Sequence, residues 1–259
     1  MARTGQPSRG RVGAASRSFA ILDVLADAGP LGTNEIARRI AATPSTISRQ
    51  LGTLVQAQLV EHDEETGRYR LGLRLVQLGN AVLARLDIRS VARPHLEALV
   101  LCTGETATLS ALGDPDAITI DFVATRRYVQ GLTHLGRPSI AHASAAGKVM
   151  LAFSGRQAQL PLLAYTPRTI VDPIELEVEL KQIRRRGWAE AYEEREPELN
   201  AIAAPVWSSQ GALEGILAVQ GPVPRFSRTI ARKTAPLLIE HAAAISRDVG
   251  WEKPGVASP

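Results

Sequence analysis

The segment Gly136-Arg137-Pro138-Ser139-Ile140-Ala141-His142-Ala143-Ser144-Ala145-Ala146-Gly147-Lys148 sets an imidazole and a hydroxyl among small residues, just ahead of a helical pattern. Small side chains running into a helix N-terminus leave backbone N–H groups open to an anion or a carbonyl oxygen. His142 and Ser144 could add side-chain hydrogen bonds. A second reading makes Ser144 a nucleophile with His142 as its base. Two residues apart on an extended segment the pair would share a side, but no third member is evident and the segment is not a G-x-S-x-G elbow. Ligand binding, not catalysis, is therefore expected. Lys148 is expected to cap or solvate the helix. Glu193, Glu194, Glu196 and Glu198 resemble a metal or acid–base cluster, but none of the five histidines stands at ligand spacing to them. An acidic surface loop is expected there, with no metal and no cofactor. Arg184-Arg185-Arg186 reads as a complement to a helix dipole, with a second DNA contact as the alternative.

A different chemistry is written into residues 33–71, TNEIARRIAATPSTISRQLGTLVQAQLVEHDEETGRYRL. Two short helices, a tight turn and a hairpin are predicted, the order of a winged helix-turn-helix. Asn34 is the expected cap of a helix Glu35–Ile40, and Thr43 caps a second one with Pro44 at its first position. Ile47, Leu51, Leu54 and Val55 form its apolar stripe. Ser45, Ser48, Arg49, Gly52 and Thr53 lie opposite, a small polar face able to press on base edges and phosphates. The strands Leu59–His62 and Arg68–Leu71 are expected around Glu64-Glu65-Thr66-Gly67, with Gly67 in the left-handed position. Thr43, Ser45, Thr46, Ser48, Arg49 and Thr53, with Arg68 on the hairpin and Arg17 on the preceding helix, are the candidate DNA contacts. A protein-docking winged helix is the bland alternative.

Charge favours the DNA reading. The first 89 residues carry 12 basic against 8 acidic side chains, which accounts for the whole chain's net +4. Arg3, Arg9, Arg11 and Arg17 fall in the first 22 residues without one acid, so residues 1–14 are expected as a disordered basic arm. Such an arm either lies along DNA or is an ordinary terminus. Aromatic content of 4% argues against stacking platforms for single strands. The single cysteine, Cys102, excludes an internal disulfide and is expected to be buried. The chain shows no signal peptide and no membrane-spanning run, and a cytoplasmic location is expected.

At 259 residues the chain can build two cores. A helix Ser16–Asp27 should roof the first. The predicted domains are a winged helix over 15–72, a linker over 73–89, an α+β domain over 90–250 and a tail over 251–259. The linker helix, Leu75–Leu86, repeats apolar residues in a narrow stripe suited to pairing with its own copy or to packing on its own domain. Beyond it come a helix Ala92–Val100, strands Thr106–Leu112 and Ile118–Ala124, and helices Ala145–Phe153 and Pro173–Arg186, the latter capped by Asp172. Strands near Trp188–Tyr192, Ala201–Trp207 and Leu213–Gln220 and a closing helix Ser227–Val249 complete an α+β domain with a largely antiparallel sheet.

The ordered blocks SRSFAILDVLADAG, NEIARRI, STISRQLGTLVQAQLVE, GRYRLGLRLVQLG, GRPSIAHASAAGKVMLAF, TPRTI, IRRRGWA, AIAAPV and AVQGP resemble the IclR family of bacterial transcription regulators from about Arg17 to Val249. The resemblance implies an N-terminal winged helix, a linker helix and a C-terminal GAF-like effector-binding domain. It implies a homodimer or a dimer of dimers on palindromic double-stranded operator DNA, with repression the expected direction. It also implies a small-molecule effector held by backbone amides of the loop Ala141–Ala146, that is Ala141, His142, Ala143, Ser144, Ala145 and Ala146. Four polar positions of small keto-acid binders in the family correspond here to Ala191, Ala201, Ala218 and Gln220. Fewer hydrogen bonds and more volume are expected of such a pocket, which favours an aromatic acid or amide with Gln220 as a directional contact. The competing readings are a hydrolase with an appended DNA-targeting domain and a constitutive architectural DNA protein.

Overall fold

A computed structural model of the chain describes residues 9–83, 88–125 and 133–251. The chain divides into two compact units, Met1–Arg85 and Leu86–Pro259.

In the first unit, α1 (Arg9–Ala28), α2 (Thr33–Arg39) and α3 (Pro44–Gln56) precede the hairpin β1 (Val60–Asp63) and β2 (Arg68–Leu71). Ile21, Leu25, Ile36, Ile47, Leu51, Leu54 and Val60 make its core. These residues recur at helical spacing, so each helix turns one face inward. Thr43 caps α3 by accepting from the Thr46 N–H at 3.4 Å. Gly67 turns the hairpin at φ 65°, where a Cβ would be strained. Two expectations change. Asn34 caps nothing: α2 starts a residue earlier behind Gly32, with no side-chain cap. Residues 9–14, expected in a disordered arm, form the first turns of α1. Nothing after Pro7 forbids a helix there, and Ala14 and Ala15 favour one. The arm's residues 1–8 lie outside the described residues.

The linker pattern is the helix α4 (Arg74–Leu83), with residues 84–87 outside the described residues. Within α4, Leu75 is half-buried while Val76 and Leu78 are exposed.

The second unit is a six-stranded antiparallel sheet ordered β5-β4-β3-β8-β7-β6. Its strands are β3 (Thr106–Leu112), β4 (Ala117–Val123), β5 (Pro138–Ser139), β6 (Ala189–Tyr192), β7 (Leu199–Trp207) and β8 (Leu213–Pro222). The helices α5 (Ile88–Thr103) and α8 (Arg228–Asp248) pack together, α5 on β3 and β4 and α8 on β7 and β8. The helix α6 (Ala145–Phe153) packs on β6, β7 and β8, with α7 (Pro173–Arg186) against it. Asp172 caps α7 by accepting from the Ile174 N–H at 2.8 Å, and Gly187 ends it at φ 81°. Cys102 is exposed, not buried as expected: α5 turns Leu96 and Leu99 inward, and position 102 falls outside that stripe. The tail's residues 252–259 lie outside the described residues.

Candidate functional site

Register assembles the pocket. Ala191 pairs with Ala201 and Ala201 with Gln220, so the three form one row across β6, β7 and β8. Ala203, Ala218 and Thr108 form the next row across β7, β8 and β3. Residues directly opposite in an antiparallel sheet share a face. The N-terminus of α6 closes the cavity, which measures about 500 Å³ counted to its open mouth. The long side chains of Arg137, Glu194, Arg195, Glu196 and Gln220 line it and crowd it closely.

Ala143, Ser144, Ala145, Ala191, Ala201, Ala218 and Gln220 all line this cavity. Ala141 and His142 do not. The Ala141 N–H donates to Asp116 Oδ1 at 2.7 Å. The His142 ring is buried, with Nε2 2.9 Å from the Leu163 carbonyl, and packs on Tyr165. Ser144 caps α6, donating to the Ile140 carbonyl at 2.9 Å and accepting from the Gly147 N–H at 3.0 Å. Both groups of the nucleophile reading are thus committed to the backbone, and no contact joins them. The N–H groups of Ala143 and Ser144 are also used, both on the Ile140 carbonyl. That leaves Ala145 and Ala146, whose amides in the first turn of α6 have no partner among the described residues. Gly147 permits the arrangement: a Cβ there would stand 2.3 Å from the Ile140 carbonyl oxygen.

Four charged residues share the wall, Arg137, Glu194, Arg195 and Glu196. The expected acidic surface loop lies at the surface only in part: Glu198 is exposed, whereas Glu193 and Glu196 are half-buried and Glu194 is 11% exposed. Lys148, expected to be solvated, is 1% exposed and donates to both Glu194 oxygens at 2.7 and 2.9 Å. Burial pushes the Glu194 carboxyl above its ordinary value, against the pull of Lys148. Arg137 bonds Glu196, and Arg195 bonds the Pro138 carbonyl. Burial, then the neighbouring Arg137, lowers the Arg195 guanidinium. Thr166 and Thr169, the two threonines of the TPRTI block, fasten the loop by donating to the Glu193 and Glu194 carbonyls at 2.6 and 2.5 Å. The Gln220 amide donates to the Thr133 hydroxyl. The pocket is therefore narrower and more charged than its three alanines implied. Glu194, Arg195 and Glu196 escaped the sequence reading because a charge run usually faces water; a tight turn from β6 tips this one inward. Among the described residues no group of His, Cys, Asp and Glu is arranged to hold a metal, and no helix is long and apolar enough to cross a membrane.

On the first unit, Ser45, Ser48, Arg49 and Thr53 are exposed along α3, with Gly52 between them. The Thr43 hydroxyl lies 2.8 Å from that of Thr46 and 3.3 Å from that of Ser45, clustering three hydroxyls at the helix N-terminus. The Arg49 guanidinium has no partner among the described residues. Arg68 is tied to the Pro30 carbonyl at 3.0 Å, and Arg70 pairs with Glu61. Arg17 is half-buried, and its Nε is enclosed without an acceptor.

The helix-turn-helix half matches the IclR helix-turn-helix domain over residues 14–64, and residues 80–247 match the bacterial transcriptional regulator IclR C-terminal domain. The chain belongs to the IclR family of transcriptional regulators. It is similar to the HTH-type transcriptional regulator BhcR of Paracoccus denitrificans, with 32% identity covering 93% of this chain and 89% of that one. The transcriptional repressor IclR of Escherichia coli is 27% identical, covering 94% of this chain and 92% of the repressor. Among solved structures, the IclR of Thermotoga maritima aligns with a TM-score of 0.70 and 28% identity, covering 93% of this chain and 100% of that one. An IclR homologue of Microbacterium hydrocarbonoxydans complexed with 4-hydroxybenzoate aligns with a TM-score of 0.74 and 25% identity, covering 91% and 98%. As an IclR-family regulator the chain is a DNA-binding protein of transcription control, and the hydrolase reading is not favoured.

Proposed function

We propose that the pocket under α6 takes an aromatic acid or amide, and that this effector controls how two or four copies hold a palindromic operator. The observation that carries the effector class is the pair of uncommitted amides at Ala145 and Ala146. They share one cavity with two arginines and a floor of alanines. A carboxylate or carbonyl oxygen fits the helix N-terminus, where the dipole and the N–H groups both favour it. A flat ring fits the alanine rows, and Gln220 supplies a directional contact once it leaves Thr133. The 4-hydroxybenzoate bound by the Microbacterium homologue is a ligand of this chemistry. Filling so narrow a pocket requires Gln220 and Arg137 to exchange partners. The ligand thereby favours one arrangement by its own differential contacts, the requirement for a switch.

On the DNA side, α3 is the reading helix. Arg49 reaches a base edge or phosphate, with Ser45, Ser48 and Thr53 beside it; Thr43 and Thr46 shape the helix start, and Arg68 positions the wing. The exposed apolar residues of α4 suit pairing with a second copy.

A thermal-shift series with 4-hydroxybenzoate, benzamide and pyruvate, followed by operator titrations with each hit, tests the reading. A ligand at a hundredfold excess over its dissociation constant stabilises the fold by about 2.7 kcal/mol. The aromatic ligands are expected to raise the melting temperature and change operator affinity, and Gln220→Ala to weaken them roughly tenfold. Stabilisation by pyruvate alone, or full aromatic affinity in Gln220→Ala, would overturn the effector assignment.

A further inference from the structure

The outer face of α7 is unlike the rest of the effector unit's surface. Leu176, Leu180 and Ile183 are buried, which turns Ile174, Val178, Lys181 and Arg185 outward as one stripe at i, i+4, i+7 and i+11. Ile174 is 76% exposed and Val178 51%. Six of the fifteen exposed large hydrophobics among the described residues fall between Leu160 and Val178, and Leu160 stands across a groove from Pro173 and Glu177. Isolated exposed apolar residues are ordinary, whereas a concentration of them beside polar groups marks a contact surface.

Charge along α7 is polarised. Glu175, Glu177 and Glu179 occupy its first half, and Lys181, Arg184, Arg185 and Arg186 its second. Glu177 pairs with Arg184 and Glu179 with Arg186 within the helix. Glu175, Lys181 and Arg185 have no ion-pair partner among the described residues. We propose that α7 is an interface with a second copy of this chain, the two helices packing antiparallel about a two-fold axis. A register centred between Glu179 and Leu180 sets Val178 against the opposing Lys181, close to the axis. It lays Ile174 along the aliphatic stem of the opposing Arg185 and brings Glu175 to that residue's guanidinium. Glu177 then faces the opposing Lys181. A parallel pairing would instead stack acid on acid and base on base. Self-complementarity of this kind is what an isologous contact requires, and the charges fix its direction. This contact deepens the multi-copy reading above by naming a surface on the effector unit, separate from any pairing through α4.

Sedimentation equilibrium of the full chain, with charge exchange on α7, tests it. Glu175→Arg and Arg185→Glu are each expected to weaken one association step at least roughly tenfold, because each sets like charges opposite one another. The double variant restores opposite charges in swapped order and should regain the step. Val178→Lys, which sets two lysines against each other beside the axis, should abolish it. All three positions point to solvent in the free chain, so melting temperatures should match wild type. Single variants that associate as wild type does would overturn the contact, and a double variant that fails to recover would overturn the antiparallel register. Retention of the thermal response to 4-hydroxybenzoate in the single variants distinguishes a failure here from a failure of the pocket assignment.

Discussion

In the winged-helix unit the ion pairs among the described residues are open to solvent: Arg38 and Arg39 share Glu35, and Arg70 meets Glu61. In the effector unit charge is drawn inside. Lys148 and Glu194 pair at 1% and 11% side-chain exposure, and Glu105, at 2%, receives Arg225. Glu190 is held by Arg232 and by the Tyr192 hydroxyl. The contrast follows from what each surface must meet. A phosphate backbone is a large, wet polyanion, so Arg49 serves best with nothing to give up first. A small ligand in a closed site is selected by groups already fixed in place, and fixing charges there means burying them with partners.

The largest expected effect comes from breaking an internal pair. Lys148→Met leaves Glu194 buried and unpaired and should cost about 3–5 kcal/mol in urea unfolding at neutral pH. Because burial already raises the Glu194 carboxyl, the folded state favours its protonated form. That contribution is present below the ordinary value of 4.5 and lost as pH rises through the raised one, so the deficit of Lys148→Met should shrink on acidification. A deficit that stays constant with pH would mean that Glu194 is not the group left stranded.

Arg49→Ala should sharpen the comparison from the other side. It is expected to weaken operator binding by about 1–3 kcal/mol while leaving the melting temperature unchanged. Unchanged affinity would remove Arg49 from the reading face. Thr43→Ala, which deletes the α3 cap, should cost about 1 kcal/mol of stability.

The smallest effect concerns Glu35. Its bonds to Arg38 and Arg39 hold its carboxyl down to about 2 from an ordinary value of 4.5. Its contribution is therefore present above 4.5 and lost as pH falls toward 2, opposite in sign to that of Glu194. Carboxyl carbon NMR, assigned with Glu35→Gln and Glu194→Gln, should place the two midpoints on opposite sides of an ordinary glutamate. Midpoints on the same side would erase the distinction between the two units.

Much of this was legible in the residues. Thr43-Pro44 marks the start of α3, Gly67 the hairpin turn, and Asp172 the cap of α7, because capping and left-handed turns are local chemistry readable within four residues. The helix α6 and strand β3 match their expected bounds because periodicity is also local. Where two local signals competed, as at Asn34 and Gly32, the chain took the less obvious start.

The sequence by itself determined the two-unit organisation, most of the elements, the polar face of α3 and the family. Each of these rests on spacing along the chain, or on many blocks in order. The tertiary structure alone decided which polar groups remain available. Strand register brought Ala191, Ala201 and Gln220 into one row from three separate strands. Folding turned His142 to Leu163, committed Ser144 to capping, buried Lys148 against Glu194, and drew Glu194, Arg195 and Glu196 into the pocket wall. A residue's type states what bonds it can make. Which of those bonds folding has already used is settled by neighbours tens of residues away, and only the packed chain shows them.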